Sequence, residues 1–162
     1  MLVPGIAALV AVIDQSTKQW IRGAFGLHDG VTVVGGFFDL RYVQNTGAAF
    51  GVFEGQNHWL SVLSVVVLVL LFRYWRTIVG ESRLHRLAMG FMLGGVAGNL
   101  LDRIRFGYVI DFLDFYAGRH HFPAFNAADS AICVGVAIYL LVTFIESRRP
   151  KVGDAEPSAG KA

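Results

Sequence analysis

The sequence predicts a mainly α membrane protein of four transmembrane helices carrying a small extracytoplasmic β element. Three observations carry that expectation. Hydrophobic residues make up 54% of the 162 residues, above the roughly 45–50% of soluble domains. Four apolar stretches, at about 2–21, 59–75, 87–103 and 122–145, each approach the roughly 20 residues that a helix needs to cross a bilayer. Between the first two lies a segment of different texture, where β-branched and aromatic runs alternate with glycines. Residues 1–149 form a single four-helix domain on this reading, and the Pro-, Gly- and Ser-containing tail at 150–162 is expected to be disordered.

The first stretch resembles a secretory leader in length, but it lacks a basic start and carries Asp14 and Lys18 in its second half. We read it as a retained helix. Asp14 and Lys18 stand i to i+4, which a local ion pair explains. The segment after it contains Val31-Thr32-Val33-Val34, then Gly35-Gly36, then Phe37 to Val43. These runs predict short strands on the membrane surface. The second stretch is the cleanest apolar run, and its Ser61 and Ser64 have no neighbouring base, so both are assigned to helix packing. In the third stretch Gly90, Gly94 and Gly98 recur every four residues, which permits close helix contact. Trp20, Trp59 and Trp75 fall near helix ends and read as interfacial anchors.

Arg73, Arg76, Arg83 and Arg86 crowd the link between stretches two and three, and Arg148, Arg149, Lys151 and Lys161 follow stretch four. Basic residues at helix ends favour the cytoplasm, so the link and both termini are expected inside. The segments at about 23–57 and 104–122 are then outside. At about 1.5 Å per residue, Asp14, Asn99, Asp102 and Asp129 all fall toward the outer ends of their helices. Asp111, in the outer loop, can reach the same level.

Charged carboxylates in a bilayer cost about 2.5–3.5 kcal/mol each at a helix centre. Asp111 in Val109-Ile110-Asp111-Phe112 and Asp129 in Phe125-Asn126-Ala127-Ala128-Asp129 therefore stand out. Brought together, two carboxylates hold one proton as a pair. One can then deprotonate a water while the other donates to a carbonyl oxygen. Spacing alone leaves structural ion pairing and a proton relay open beside this aspartyl-peptidase arrangement.

Other chemistry has less support. Cys133 is the only cysteine, which excludes an intrachain disulfide and a multi-thiolate metal site, and its apolar setting reads as packing. His58, His120 and His121 have no carboxylate or thiol partners at metal-site spacing. A net charge of +2, spread over loops, offers nucleic acid little. A small proton-coupled carrier is the rival from another class, although such a carrier keeps its essential acid nearer the bilayer centre. A non-catalytic assembly protein is the third reading.

Five blocks make the chain resemble the lipoprotein signal peptidase family, also called signal peptidase II. They are Asp14-Gln15-Ser16-Thr17-Lys18, Asn45-Thr46-Gly47-Ala48-Ala49-Phe50-Gly51, Gly98-Asn99-Leu100-Leu101-Asp102-Arg103, Val109-Ile110-Asp111-Phe112 and Phe125-Asn126-Ala127-Ala128-Asp129-Ser130. Their order and spacing span nearly everything before the tail. The resemblance implies an aspartic endopeptidase that removes signal peptides from bacterial prolipoproteins, cutting before the diacylglyceryl-modified cysteine. It implies Asp111 and Asp129 as the catalytic pair. Asp14, Lys18, Asn45, Gly47, Asn99, Asp102, Arg103, Asn126 and Ala128 are then expected to support the site or bind substrate. For Arg103, substrate binding and pairing with Asp102 are both open; for Asn126, orientation of Asp129 and helix capping are. No metal or cofactor is expected. The expected partners are the lipid-modified precursor and membrane lipids, with no nucleic acid and a monomeric enzyme. Its expected place is the bacterial inner membrane, as a multi-pass protein with the active site near the outer leaflet.

Overall fold

A computed structural model describes residues 2–47, 52–80 and 82–148. Ala48, Ala49, Phe50 and Gly51 of the second block lie outside the described residues, as does the tail at 150–162. The elements run α1 (Leu2–Ala24), β1 (Gly30–Val34), β2 (Phe38–Asn45), α2 (Asn57–Val79), α3 (Arg83–Phe106), β3 (Val109–Ala117), β4 (His120–His121) and α4 (Ala127–Ser147). The protein is thus mainly helical with one small antiparallel sheet, ordered β1-β2-β3-β4.

Two helices, α2 and α4, are long and apolar enough to cross a membrane. On α2 the side chains of Val62, Leu63, Val66, Val69, Leu70 and Phe72 are all exposed. Apolar surface around most of a helix circumference fits lipid and not water. The other two long helices, α1 and α3, are less apolar, and between them they bury Asp14, Lys18, Asn99 and Asp102.

At the centre lies α3, which packs against α1, α2 and α4. Its glycines permit that. A Cβ at Gly94 would stand 2.6 Å from the Ala7 carbonyl and 2.7 Å from Val10 Cβ, while one at Gly98 would meet Asp14 at 2.5 Å. On the α4 side, Gly95 lies directly against the Ala128 carbonyl. Close approach of three backbones at one level brings α1, α3 and the start of α4 together.

The sheet sits at the end where α1 and α3 finish and α4 begins. Both strands expected before α2 are present, as β1 and β2. The stretch expected as an outer loop around Asp111 is instead a nine-residue strand, β3. Its Ile110 and Phe112 pack on Ile21 and Tyr42 in a buried cluster. Alternation then turns Asp111 to the opposite face. Pairing of Val43 with Asp111 and of Asn45 with Val109 puts the side chains of Asn45 and Asp111 on that same face.

The expected fourth stretch starts at 122, but α4 begins only at Ala127. Residues before it run beside β3, where the Phe125 carbonyl accepts from the amides of Phe112 (3.0 Å) and Leu113 (2.8 Å). Asn126 then caps α4 in a reciprocal capping box with Asp129.

Gly94→Ala is expected to lose about 1–3 kcal/mol from overpacking against α1, even though alanine is intrinsically the better helix former. Gly23→Ala, where nothing lies within 4 Å, should not destabilise. Chemical unfolding of both variants in detergent checks the contrast, and equal stabilities would refute the close contact.

Candidate active site

Asp14, Lys18, Asn45, Asn99, Asp102, Arg103, Asp111, Asn126 and Asp129 converge at the sheet end of the helices. The assembly starts from Lys18, which is completely buried. Its ammonium carries three protons and accepts nothing, and three acceptors surround it at 2.9 Å: Asp14 Oδ2, Asp102 Oδ2 and Asn99 Oδ1. The i to i+4 pair is therefore real, and α3 supplies its second carboxylate. Arg103 does not pair with Asp102, whose partners are Lys18, Gln15 and the Ile110 amide.

The two anions of this cluster hold backbone as well as charge. Asp14 Oδ1 accepts from the Ala128 amide at 2.9 Å, in the first turn of α4. Asp102 Oδ2 accepts from the Ile110 amide at 3.1 Å, one residue before Asp111. The helix bearing Asp129 and the strand bearing Asp111 are thus both tied to one buried ion cluster. Ala128, with no exposure, matters here through its amide and its lack of bulk.

Three asparagines pass this order to the aspartates, and each has its amide orientation fixed by a group that only donates. Asn99 must turn its oxygen to Lys18, so its nitrogen donates to Asp129 Oδ1 at 2.7 Å. Asn126 must turn its oxygen to the Asp129 amide (3.0 Å), so its nitrogen donates to Asp111 Oδ1 at 2.6 Å. Asn45 accepts from the Gly47 amide at 2.9 Å and donates to Asp111 Oδ2 at 2.8 Å. Asn126 also gives its own backbone N–H to Asp129 Oδ2 at 3.2 Å. It both caps the helix and holds the two carboxylates, so the alternatives open in the sequence are realised together.

Asp111 and Asp129 line one cavity of about 560 Å³, together with Asn45, Asn99, Arg103 and an apolar wall that includes Phe122 and Phe125. No direct hydrogen bond joins the two carboxylates; Asn126 bridges them. Asp111 is buried, and that burial, reinforced by the negative charge of Asp129, pushes its carboxyl up to about 7 against the opposing pull of the Asn45 and Asn126 amides. Asp129 is half-buried in the first turn of α4, where its two oxygens accept from the Asn99 side chain and the Asn126 backbone N–H. The two carboxylates thus sit in unlike environments, Asp111 buried in β3 and Asp129 half-buried at the start of α4. Arg103 faces the same cavity, donates to the Gly47 carbonyl at 3.4 Å and interacts electrostatically with both aspartates.

One feature differs from the sequence reading and one adds to it. Cys133 is exposed and lines the cavity one turn beyond Asp129, so it is not packed away. His121, which has no carboxylate partner at metal-site spacing in the sequence, has its Nδ1 2.9 Å from Asp114, seven residues earlier across the β3–β4 turn. A hairpin brings together what linear spacing separates.

The sequence pattern of the family described as signal peptidase (SPase) II matches residues 6–145. The lipoprotein signal peptidase of Syntrophotalea carbinolica is 44% identical over 147 residues, covering 89% of this chain and 91% of that protein. That of Shewanella loihica is 43% identical over 154 residues, covering 92% and 89%. Among solved structures, a bacterial membrane enzyme determined at 2.3 Å by the in meso method superposes with a TM-score of 0.83. It is 26% identical and the match covers 93% of this chain and 92% of that one.

Lys18→Gln should cost about 3–5 kcal/mol, since it leaves two buried carboxylates without their cation. Arg119→Gln, at an exposed position, should stay within about 0.5 kcal/mol of the parent. Unfolding in detergent measures both, and a Lys18 variant as stable as the parent would show that the buried cluster does not hold the fold.

Proposed function

The chain belongs to the signal peptidase II family, and on that premise we propose that it is an aspartic endopeptidase that removes signal peptides from lipid-modified prolipoproteins, cutting before the diacylglyceryl cysteine. The observation that carries this reading is Asn126, bonded to both aspartates of one cavity. A structural ion pair needs no second carboxylate so placed. A hydrolase that activates water with one carboxyl and protonates the carbonyl with another does.

Asp129 acts as general base, taking a proton from a water as its oxygen attacks the scissile carbonyl carbon. Asp111 donates its proton to the carbonyl oxygen as negative charge develops there. The tetrahedral diol then collapses. Its hydroxyl proton returns to Asp111, the proton held by Asp129 passes to the leaving nitrogen, and the C–N bond breaks. Both carboxyls end as they began, with one proton between them. Asn45 and Arg103 bind the peptide backbone, while the wall at Phe122 and Phe125 accommodates the acyl groups.

All four long helices span the bacterial inner membrane in this reading. The arginine-rich link at 73–86 and both termini lie in the cytoplasm, and the cavity opens near the outer leaflet. A monomer suffices, because one chain supplies every group of the site.

Asp111→Asn and Asp129→Asn, tested separately on a lipidated precursor, should each reduce cleavage by about 10²–10⁴-fold, the range of general acid–base catalysis. If either variant, folded and inserted, cleaves like the parent, the dyad is wrong. The pH profile carries a second test. Asp111 works protonated and its carboxyl titrates at about 7, so kcat/KM should fall as pH rises through that value. A rate that stays flat well above it excludes Asp111 as the acid.

A further inference from the structure

One buried carboxylate belongs neither to the ion cluster nor to the cavity. Asp114 is 4% exposed, and strand alternation turns it to the face of β3 opposite Asp111. Directly across from it on β2 stands Asp39, and like charges so placed repel. Asp114 therefore needs a donor. Arg41 comes only to 4.0 Å, is exposed and gives its Nε–H to the His28 carbonyl, while the Tyr116 hydroxyl donates to Asp39. The close donor is His121, whose Nδ1 stands 2.9 and 3.1 Å from the two oxygens of Asp114. A carboxylate only accepts, so Nδ1 carries the hydrogen.

The hairpin at this point is short. β4 is His120 and His121 alone, paired with Ala117 and Tyr116 of β3 around Gly118, whose φ is +61°. Two strands so short are marginal in water by their ladder alone. His121 adds the Asp114 bond and a stack on the Tyr116 ring, with centroids 4.9 Å apart at 17°. The chain then passes directly into the cavity wall. Phe122 gives its N–H to the Phe115 carbonyl at 2.8 Å and sets its ring edge-on to Phe125 at 6.0 Å. Phe122, Pro123, Ala124 and Phe125 all line the cavity. Phe125 exchanges backbone bonds with Leu113, so three residue steps of the wall face two of β3, a bulge whose Pro123 has no N–H to add to the ladder. His121 stands where the hairpin meets the first residue of that wall, on the opposite face from its ring.

We propose that His121 is a positioning residue for substrate: its bond to Asp114 on the outer face sets where Phe122 stands on the inner one, and through it how tightly the cavity holds the acyl chains of the precursor. The proposal rests on the peptidase reading and adds a determinant of substrate binding outside the aspartate pair.

Two measurements on the full chain in detergent test it: backbone hydrogen exchange over 118–125, and steady-state cleavage of diacylglyceryl precursors with long or short acyl chains. His121→Ala should speed exchange and raise KM for the long-chain precursor by about three- to tenfold, the worth of one ordinary hydrogen bond. Its kcat should match the parent's, and KM for the short-chain precursor should change little. His121→Asn, whose amide nitrogen can stand where Nδ1 does, should restore both readouts. His121→Phe, which keeps a ring on Tyr116 without the donor, should not. His120→Ala, at the exposed neighbouring position, should behave like the parent. Melting temperatures establish that each variant is folded, and the Asn and Phe variants carry the comparison if His121→Ala is not. A fall in kcat at unchanged KM overturns the proposal, as does an equal effect in His120→Ala or a failure of His121→Asn to restore binding. Unchanged exchange in His121→Ala also overturns it, whatever the chain cleaves. A parent that cleaves neither precursor contradicts the peptidase reading itself, so the two failures are told apart.

Discussion

A buried ammonium that can only donate sets the polarity of this structure. Lys18 has no exposure and three acceptors, and each comes from a residue with a second task. Asp14 holds the first turn of α4, Asp102 holds β3, and Asn99 turns its nitrogen to Asp129. Removing a charge from such a cluster strands its partners in an apolar interior, where an unpaired ion is expensive. Fold and site therefore rest on the same bonds. A helix bundle that lost this cluster would have to move α4 and β3, the two elements that bear Asp129 and Asp111.

The composition of the helices follows from that arrangement. Lipid-facing work falls to α2 and α4, which are apolar over most of their surface, while α1 and α3 carry the polar cluster between them. Glycines make this possible, since the Gly98 position lies against the Asp14 carboxylate and leaves no room for a side chain. The cost of burying charge is confined to one end of the protein, where the sheet covers it. There the aspartates meet, Asp111 in surroundings dry enough to raise its carboxyl and Asp129 half-buried beside the Asn99 and Asn126 donors.

Much of this was legible in the sequence, and the remainder was hidden for a physical reason. Apolar runs located the four helices, β-branched and aromatic runs located β1 and β2, and i to i+4 spacing identified the Asp14–Lys18 pair. Five sequence blocks named the polar residues that meet at the cavity. Local patterns could not show partners brought together by folding: Asp102 to Lys18, eighty-four residues apart in sequence, or Asp114 to His121 across a hairpin. The strand at Asp111 was read as loop because it is buried on both faces near Asp111 and shows little alternation in polarity. Asn126 posed a choice between capping and orienting that only coordinates answer, and they answer with both. The α4 start was placed early because Phe122 to Phe125 are as apolar as the helix they precede, although they serve as a strand-like wall of the cavity.

The central claim is that the two aspartates share one proton, resident on Asp111, in the resting protein. Infrared difference spectroscopy of the carboxylic C=O stretch, recorded on the detergent-solubilised chain across neutral pH, reads that proton directly. The account predicts one protonated carboxyl band that titrates away near pH 7, is absent from Asp111→Asn and persists to a lower pH only in Asp129→Asn, where the neighbouring charge is gone. A neutral-pH spectrum without such a band, or a band that survives in Asp111→Asn, would contradict it.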